Sequence, residues 1–122
     1  MMYQKALFFN DQKVAKQIME TNDPSIIKAL GRQVAGYNEI DWNGIRQIIV
    51  YEGLLAKFSQ NESLKNKLLS TNDALLVECS ISDKIWGNGL SITNPDRLSK
   101  EKWKGQNLLG YTLMKVRDKL KV

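Results

Sequence analysis

Near the end of the chain, Leu108, Thr112, Val116 and Leu120 recur every four residues, and Leu109 and Leu113 widen the same face. A helix turning every 3.6 residues gathers these positions on one side, so the segment is predicted to be an amphipathic helix capped by Asn107. This spacing returns along most of the sequence and restricts the chain to a mainly α fold. Residues 1–20 place Tyr3, Leu7, Val14 and Ile18 on a common face, with Asn10-Asp11 breaking the helix or capping a second one. Asp23-Pro24 is a start signal, since Asp caps and Pro suits the first helical position. The helix it opens carries Ile26, Ile27, Leu30 and Val34, with Gly36 as its stop. Asp41 can cap a longer helix to about residue 59, striped by Ile45, Ile48, Ile49, Glu52 and Ala56, and Asn61 a short one with Leu64, Leu68 and Leu69.

Residues 74–79 break the pattern: Leu75, Val77 and Cys79 alternate with Leu76 and Glu78, as in a brief strand or an extended buried segment. Residues 80–106, with Gly87, Gly89, Pro95 and Gly105, form a long irregular stretch of the kind that often carries function. Without a repeat or a linker, the 122 residues read as one compact multihelical domain with one or two short β segments. A content of 43% hydrophobic residues suffices for a core. No run approaches the roughly 18 apolar residues of a membrane span, and the start lacks a signal-peptide pattern, so the expected setting is the cytoplasm, with no membrane contact.

The chain contains no histidine, which removes imidazole bases, Ser-His and Cys-His pairs and the commonest transition-metal ligand. Its single cysteine, Cys79, excludes an internal disulfide and a Cys-rich zinc site, and its apolar surroundings suit a small buried hydrophobe. Chemistry is left to carboxylates, lysines, amides and aromatic faces. The net charge of +5 is uneven: residues 1–95 carry ten basic and ten acidic side chains, residues 96–122 eight and three. That basic quarter is either a solvated surface with a helix whose cations complement its dipole, or an attractor for phosphate or nucleic acid.

Three segments do not read as packing alone. In Asp83-Lys84-Ile85-Trp86-Gly87-Asn88-Gly89 a carboxylate stands three residues before an indole in a glycine-flanked turn. Asp in such a turn is commonly a turn former and Trp a core residue. Yet an indole face can also stack on a base or ribose, and a carboxylate can stabilise a developing oxocarbenium charge. Asn107 caps its own helix or marks a helix start that attracts anions. Lys57, at the end of the long helix, serves the helix dipole or reaches a phosphate. Gly105-Gln106-Asn107 lacks the Lys-Ser/Thr ending of a phosphate loop, and no dinucleotide fingerprint, EF-hand or helix-turn-helix pattern is visible.

The ordered set Tyr3-Gln4-Lys5-Ala6, Asp23-Pro24, Lys28-Ala29-Leu30-Gly31-Arg32, Trp42, Ala56-Lys57-Phe58-Ser59-Gln60-Asn61, Leu68-Leu69-Ser70-Thr71, Leu76-Val77-Glu78, Asp83-Lys84-Ile85-Trp86-Gly87 and Trp103-Lys104-Gly105-Gln106-Asn107-Leu108-Leu109-Gly110 resembles the NADAR, or YbiA-like, family over essentially the whole chain. The resemblance implies a mainly helical fold and N-glycosidase activity on ADP-ribose conjugates, including ADP-ribosylated guanine in nucleic acid, or on ribosylated riboflavin-pathway intermediates. It implies no metal and no organic cofactor. It assigns Asp83 and Trp86 as catalytic residues and Lys5, Glu78 and Asn107 as pocket neighbours; Arg32 and Lys57 are the candidate phosphate contacts. Family members carry a few dozen residues before this point, including a Glu that serves as a catalytic carboxylate, and the sequence given starts after it. Two other readings stand beside the enzyme: a non-catalytic binder of ADP-ribose-like nucleotides, and a nucleic-acid-binding module using the basic quarter.

Overall fold

The computed structural model describes residues 1–121. It contains six α-helices, α1 (Met2–Phe8), α2 (Gln12–Met19), α3 (Pro24–Gly31), α4 (Glu39–Gln60), α5 (Glu62–Leu69) and α6 (Leu108–Leu120), with short 3-10 turns at Pro95–Leu98 and Lys100–Lys102. Mainly helical architecture is as the apolar spacing requires. Among the described residues there is no strand, and residues 74–79 carry no regular secondary structure. The chain forms two compact units, Met1–Val50 and Tyr51–Val122.

The first unit closes on Ala6, Val14, Ala15, Ile18 and Val34, with Met2, Tyr3, Phe9, Ile27 and Leu30 packed against them. Asn10, at φ +58°, divides the predicted first helix into α1 and α2. Asp11 then holds two backbone groups: Oδ1 accepts from Val14 N at 3.1 Å, capping α2, and Oδ2 from Ala35 N at 2.8 Å. Those hydrogen bonds, Ala35 first, keep the Asp11 carboxyl below its ordinary pKa. Asp23 caps α3 through Ser25 N, with Pro24 in its first turn.

α3 is shorter than its apolar pattern suggests. It ends at Gly31, where a Cβ would collide with the Met2 side chain, and Arg32 follows as C-cap. Val34 is buried but outside the helix, and Gly36 sits at φ +73° in the following turn rather than at the helix end. The cap of α4 is also displaced: Asn38 Oδ1 accepts from Asp41 N at 3.0 Å, so Asp41 lies inside the helix that it was expected to open.

In the second unit α5 packs on α6. Leu68, Thr112 and Val116 are buried, and so is Arg117, whose Nη1 donates at 2.9 Å to both Thr71 Oγ1 and the Ala74 carbonyl. Asn61 occupies the N-cap position of α5 without capping it; its Nδ2 donates back to the Lys57 carbonyl. Cys79 is half-buried beside Asn88, whose Nδ2 lies 3.8 Å from Sγ.

Candidate functional site

The second unit brings three backbone segments, residues 76–80, 83–89 and 104–110, into close contact. Gly87, Gly105 and Gly110 lie where they meet. A Cβ on Gly87 would stand 2.7 Å from the Asp83 carbonyl, and one on Gly105 or Gly110 would strike the Gly87 or the Leu76 carbonyl oxygen. Glycine is required at such approaches because any side chain would force backbone apart.

Asn107 fixes the arrangement. It is fully buried, at φ +51°, a left-handed conformation that Asn tolerates better than most residues. Its Nδ2 donates to the Leu76 carbonyl and its Oδ1 accepts from Glu78 N, both at 2.9 Å. Its amide is spent on the Leu76–Glu78 backbone, so it gives α6 no side-chain cap. The N–H groups that lead into α6 are spent on carbonyls as well. Gln106 N, Asn107 N, Leu108 N and Leu109 N donate to the carbonyls of Lys84, Gly87, Ile85 and Trp86 at 2.8–3.1 Å. Asn88, also fully buried, completes the joint: its N–H donates to the Glu78 carbonyl and its carbonyl accepts from Lys104 N.

Asp83 and Trp86 stand on this support, both half-buried. Asp83 Oδ1 accepts from Ile85 N at 3.0 Å and Trp86 N at 2.8 Å, while Asp83 N donates to Ser80 Oγ at 3.2 Å. Among the described residues Oδ2 has no hydrogen-bond partner. The carboxylate is therefore oriented through one oxygen and available through the other. Chemically, such a group can accept a proton from water or face a developing positive charge.

Glu78 is exposed and lines an open cavity of about 270 Å³ with Phe58, Lys67, Leu68, Thr71, Leu76, Val77, Gly110 and Leu113; Asp83 and Trp86 are not part of its lining. Lys57 is exposed, its Nζ 5.7 Å from the Phe58 ring centre. Lys5 and Arg32 belong to the first unit. Lys5 Nζ donates to the Gly31 carbonyl at 2.8 Å and lies 4.5 Å from the Tyr37 ring centre, and burial lowers its pKa. Arg32 is exposed at the end of α3.

The basic quarter is partly spent inside the protein. Arg117 is buried, Lys121 pairs with Asp73 at 3.1 Å and Asp118 at 3.5 Å, Lys102 with Asp96 at 3.6 Å, and Lys100 lies over Tyr111. Lys121 in turn keeps the Asp73 carboxyl below its ordinary pKa. Among the described residues no group of three His, Cys, Asp or Glu could hold a metal ion, and no helix is long and apolar enough to cross a membrane.

Sequence reasoning did not single out Asn88 or Arg117. A polar residue between Gly87 and Gly89 was the available signal for the first; for the second it was a cation beside Val116 on an apolar face.

Residues 1–121 match the NADAR domain model. The chain is 46% identical over 118 residues to N-glycosidase R617 of Acanthamoeba polyphaga mimivirus, covering 97% of this chain and 69% of that protein. It is 38% identical over 121 residues to Protein irg-1 of Caenorhabditis elegans, covering 98% and 57%. Against N-glycosidase YbiA of Escherichia coli it is 31% identical over 120 residues, covering 98% and 68%. The chain thus spans between 57% and 69% of the length of these relatives. With the domain matched from end to end of the described residues and the identity spread over nearly all of it, the chain belongs to the NADAR family.

Proposed function

We propose that the protein hydrolyses an N-glycosidic bond in a ribosylated, phosphate-bearing small molecule: an ADP-ribose conjugate or a ribosylated riboflavin-pathway intermediate. Asp83, held through Oδ1 by the Ile85 and Trp86 N–H groups with no hydrogen bond on Oδ2 among the described residues, is the observation that carries this reading. The names of the mimivirus and bacterial relatives support the reaction class.

In the reaction, water attacks the anomeric carbon, the carbon–nitrogen bond breaks, and its electron pair leaves on nitrogen, which takes up a proton. The transition state carries oxocarbenium character. Asp83 offsets that charge or takes the proton of the attacking water through Oδ2, and the indole of Trp86 packs against sugar or base. Lys57 is the candidate phosphate contact in the second unit, acting as a point charge. Glu78 borders the pocket.

Incubation with ADP-ribosylated guanosine and with the riboflavin intermediates should release free base or sugar phosphate. Asp83→Asn retains an oxygen for the Ile85 and Trp86 N–H groups and replaces the other by an uncharged NH2 donor. It should lower turnover by about 10²-fold or more while the protein stays folded. Equal turnover in Asp83→Asn and wild type refutes the role of Asp83.

A further inference from the structure

The Asp83 turn rests on α6 in a specific way. In a planar trans peptide the carbonyl and the N–H point in opposite directions, so a hydrogen bond on one side aims the other. The peptide joining Lys84 and Ile85 takes Gln106 N–H on its carbonyl at 2.8 Å and gives its own N–H to Asp83 Oδ1 at 3.0 Å. The next peptide, joining Ile85 and Trp86, takes Leu108 N–H at 3.1 Å and gives its N–H to the same oxygen at 2.8 Å. Two parallel paths, each one peptide long, therefore run to a single carboxylate oxygen, one from Leu108, the first residue of α6, and one from Gln106, two residues before it.

The peptides that follow are anchored as well. The Trp86 carbonyl accepts from Leu109 N at 3.0 Å and the Gly87 carbonyl from Asn107 N at 2.9 Å. The Asn88 N–H, on the far side of the Gly87 peptide, goes to the Glu78 carbonyl at 2.8 Å. Asp83 is thus set in a turn whose successive carbonyls are all bonded to the opening of α6.

A helix start carries partial positive charge on its unsatisfied N–H groups, equivalent to about half an elementary charge. Hydrogen bonds in series polarise one another, so a peptide whose carbonyl is already bonded is a stronger donor at its N–H. The positive end of α6 faces Asp83 Oδ1 through intervening peptides rather than directly. This division leaves Oδ2 outside the network while the carboxylate plane is set from behind.

We propose that the opening of α6 is the positioning element for Asp83, with the backbone N–H groups of Gln106 and Leu108 acting on Oδ1 through the Lys84–Ile85 and Ile85–Trp86 peptides. Gln106 and Leu108 are positioning residues, and they act by backbone alone. The inference rests on the reading of Asp83 as the catalytic carboxylate. A turn that merely lies against α6 would make the same contacts and show the same amide polarisation, but kcat would not then depend on which of the two donors is present.

The test replaces single backbone N–H groups by ester oxygen at residues 106 and 108, leaving both side chains intact. An ester at residue 102, whose N–H bonds the Ser99 carbonyl, is the control. In proton–nitrogen spectra the 106 ester should move the Ile85 amide proton upfield more than the Trp86 one, and the 108 ester the reverse. With ADP-ribosylated guanosine as substrate, each should lower kcat by about five- to tenfold, the worth of one hydrogen bond, with KM within about twofold. The 102 ester should change neither.

Unmoved Ile85 and Trp86 amides would overturn the relay, as would equal shifts from the control ester. Moved amides with unchanged kcat would overturn the positioning role. Absence of turnover by the wild type would sink the glycosidase reading instead, and the paired amide shifts would then decide the relay.

Discussion

Replacing Asn107 by Ala should be among the most damaging single changes in the second unit. The side chain is fully buried and makes two hydrogen bonds of 2.9 Å, to Leu76 O and from Glu78 N. Truncation leaves one part-buried acceptor and one part-buried donor without partners, each costing up to about 1–3 kcal/mol. Ala must also hold the left-handed φ of +51°, at about 1–2 kcal/mol. Water entering the vacated space brings the first contribution to its lower end, so the expected loss is about 3–4 kcal/mol. This is a large share of the roughly 5–15 kcal/mol that holds a small domain folded. Asn107→Gly loses the same hydrogen bonds but not the φ preference, so it should be milder than Asn107→Ala by about 1 kcal/mol. Urea unfolding followed by fluorescence gives the global cost. Native-state hydrogen exchange at the Glu78 amide gives the local one, with about 10²-fold faster exchange for each 2.7 kcal/mol or so lost. A loss below about 1 kcal/mol with Glu78 exchange unchanged would refute the clamp. Equal cost for Ala and Gly would refute the backbone part of the reasoning.

Three further outcomes follow from the same geometry. Gly110→Ala drives a Cβ into the Leu76 carbonyl and should cost about 3 kcal/mol or more by thermal or urea unfolding, whereas Gly53→Ala, in open space on α4, should stabilise by about 0.5–1 kcal/mol. A neutral Gly110→Ala would contradict the close approach. Asp11 has a folded pKa below its ordinary value, so the stability it contributes is present above about pH 4 and is lost as pH falls through the folded pKa. The stability difference between wild type and Asp11→Asn should therefore shrink on acidification from about pH 5 to about pH 2, and a constant difference across that window would count against the assignment. Arg117→Ala strands the Ala74 carbonyl and removes the packing of a buried stem; a loss of about 2–4 kcal/mol is expected, and a change under about 0.5 kcal/mol would show that the turn after α5 is held otherwise.

The helices were legible because their apolar periods are local, and Asp23-Pro24 opened α3 where its chemistry placed it. Side-chain amides and chain breaks were less legible. Asn61 and Asn107 stand at cap positions, but an amide can equally reach a carbonyl elsewhere, and in both cases another partner wins. The bonds of Asn107 to Leu76 and Glu78 span 31 and 29 residues, a separation that no periodicity encodes. Val34 continues the α3 pattern although the helix has ended, because burial fixes only that the side chain points inward and not the backbone that carries it there. Asp83 and Trp86 drew attention through their turn; the joint beneath them, with Asn88 and α6, could not be read from the sequence.

On the proposed reading, Asp83 as turn former and Asp83 as reacting group are compatible. Oδ1 makes the turn, bonded to Ile85 N and Trp86 N, and Oδ2 carries no hydrogen bond among the described residues. A carboxylate that swung freely would lose part of its effect to reorientation at each turnover, and preorganisation avoids that loss. The residue type follows: Asn satisfies the turn without the charge, and Ser has only one oxygen for both tasks, so Asp is the short side chain that meets both requirements at once. The separation predicts that the stability and the turnover of Asp83 variants will not track each other. Asp83→Asn should keep most of the first and little of the second, and Asp83→Ala should lose both.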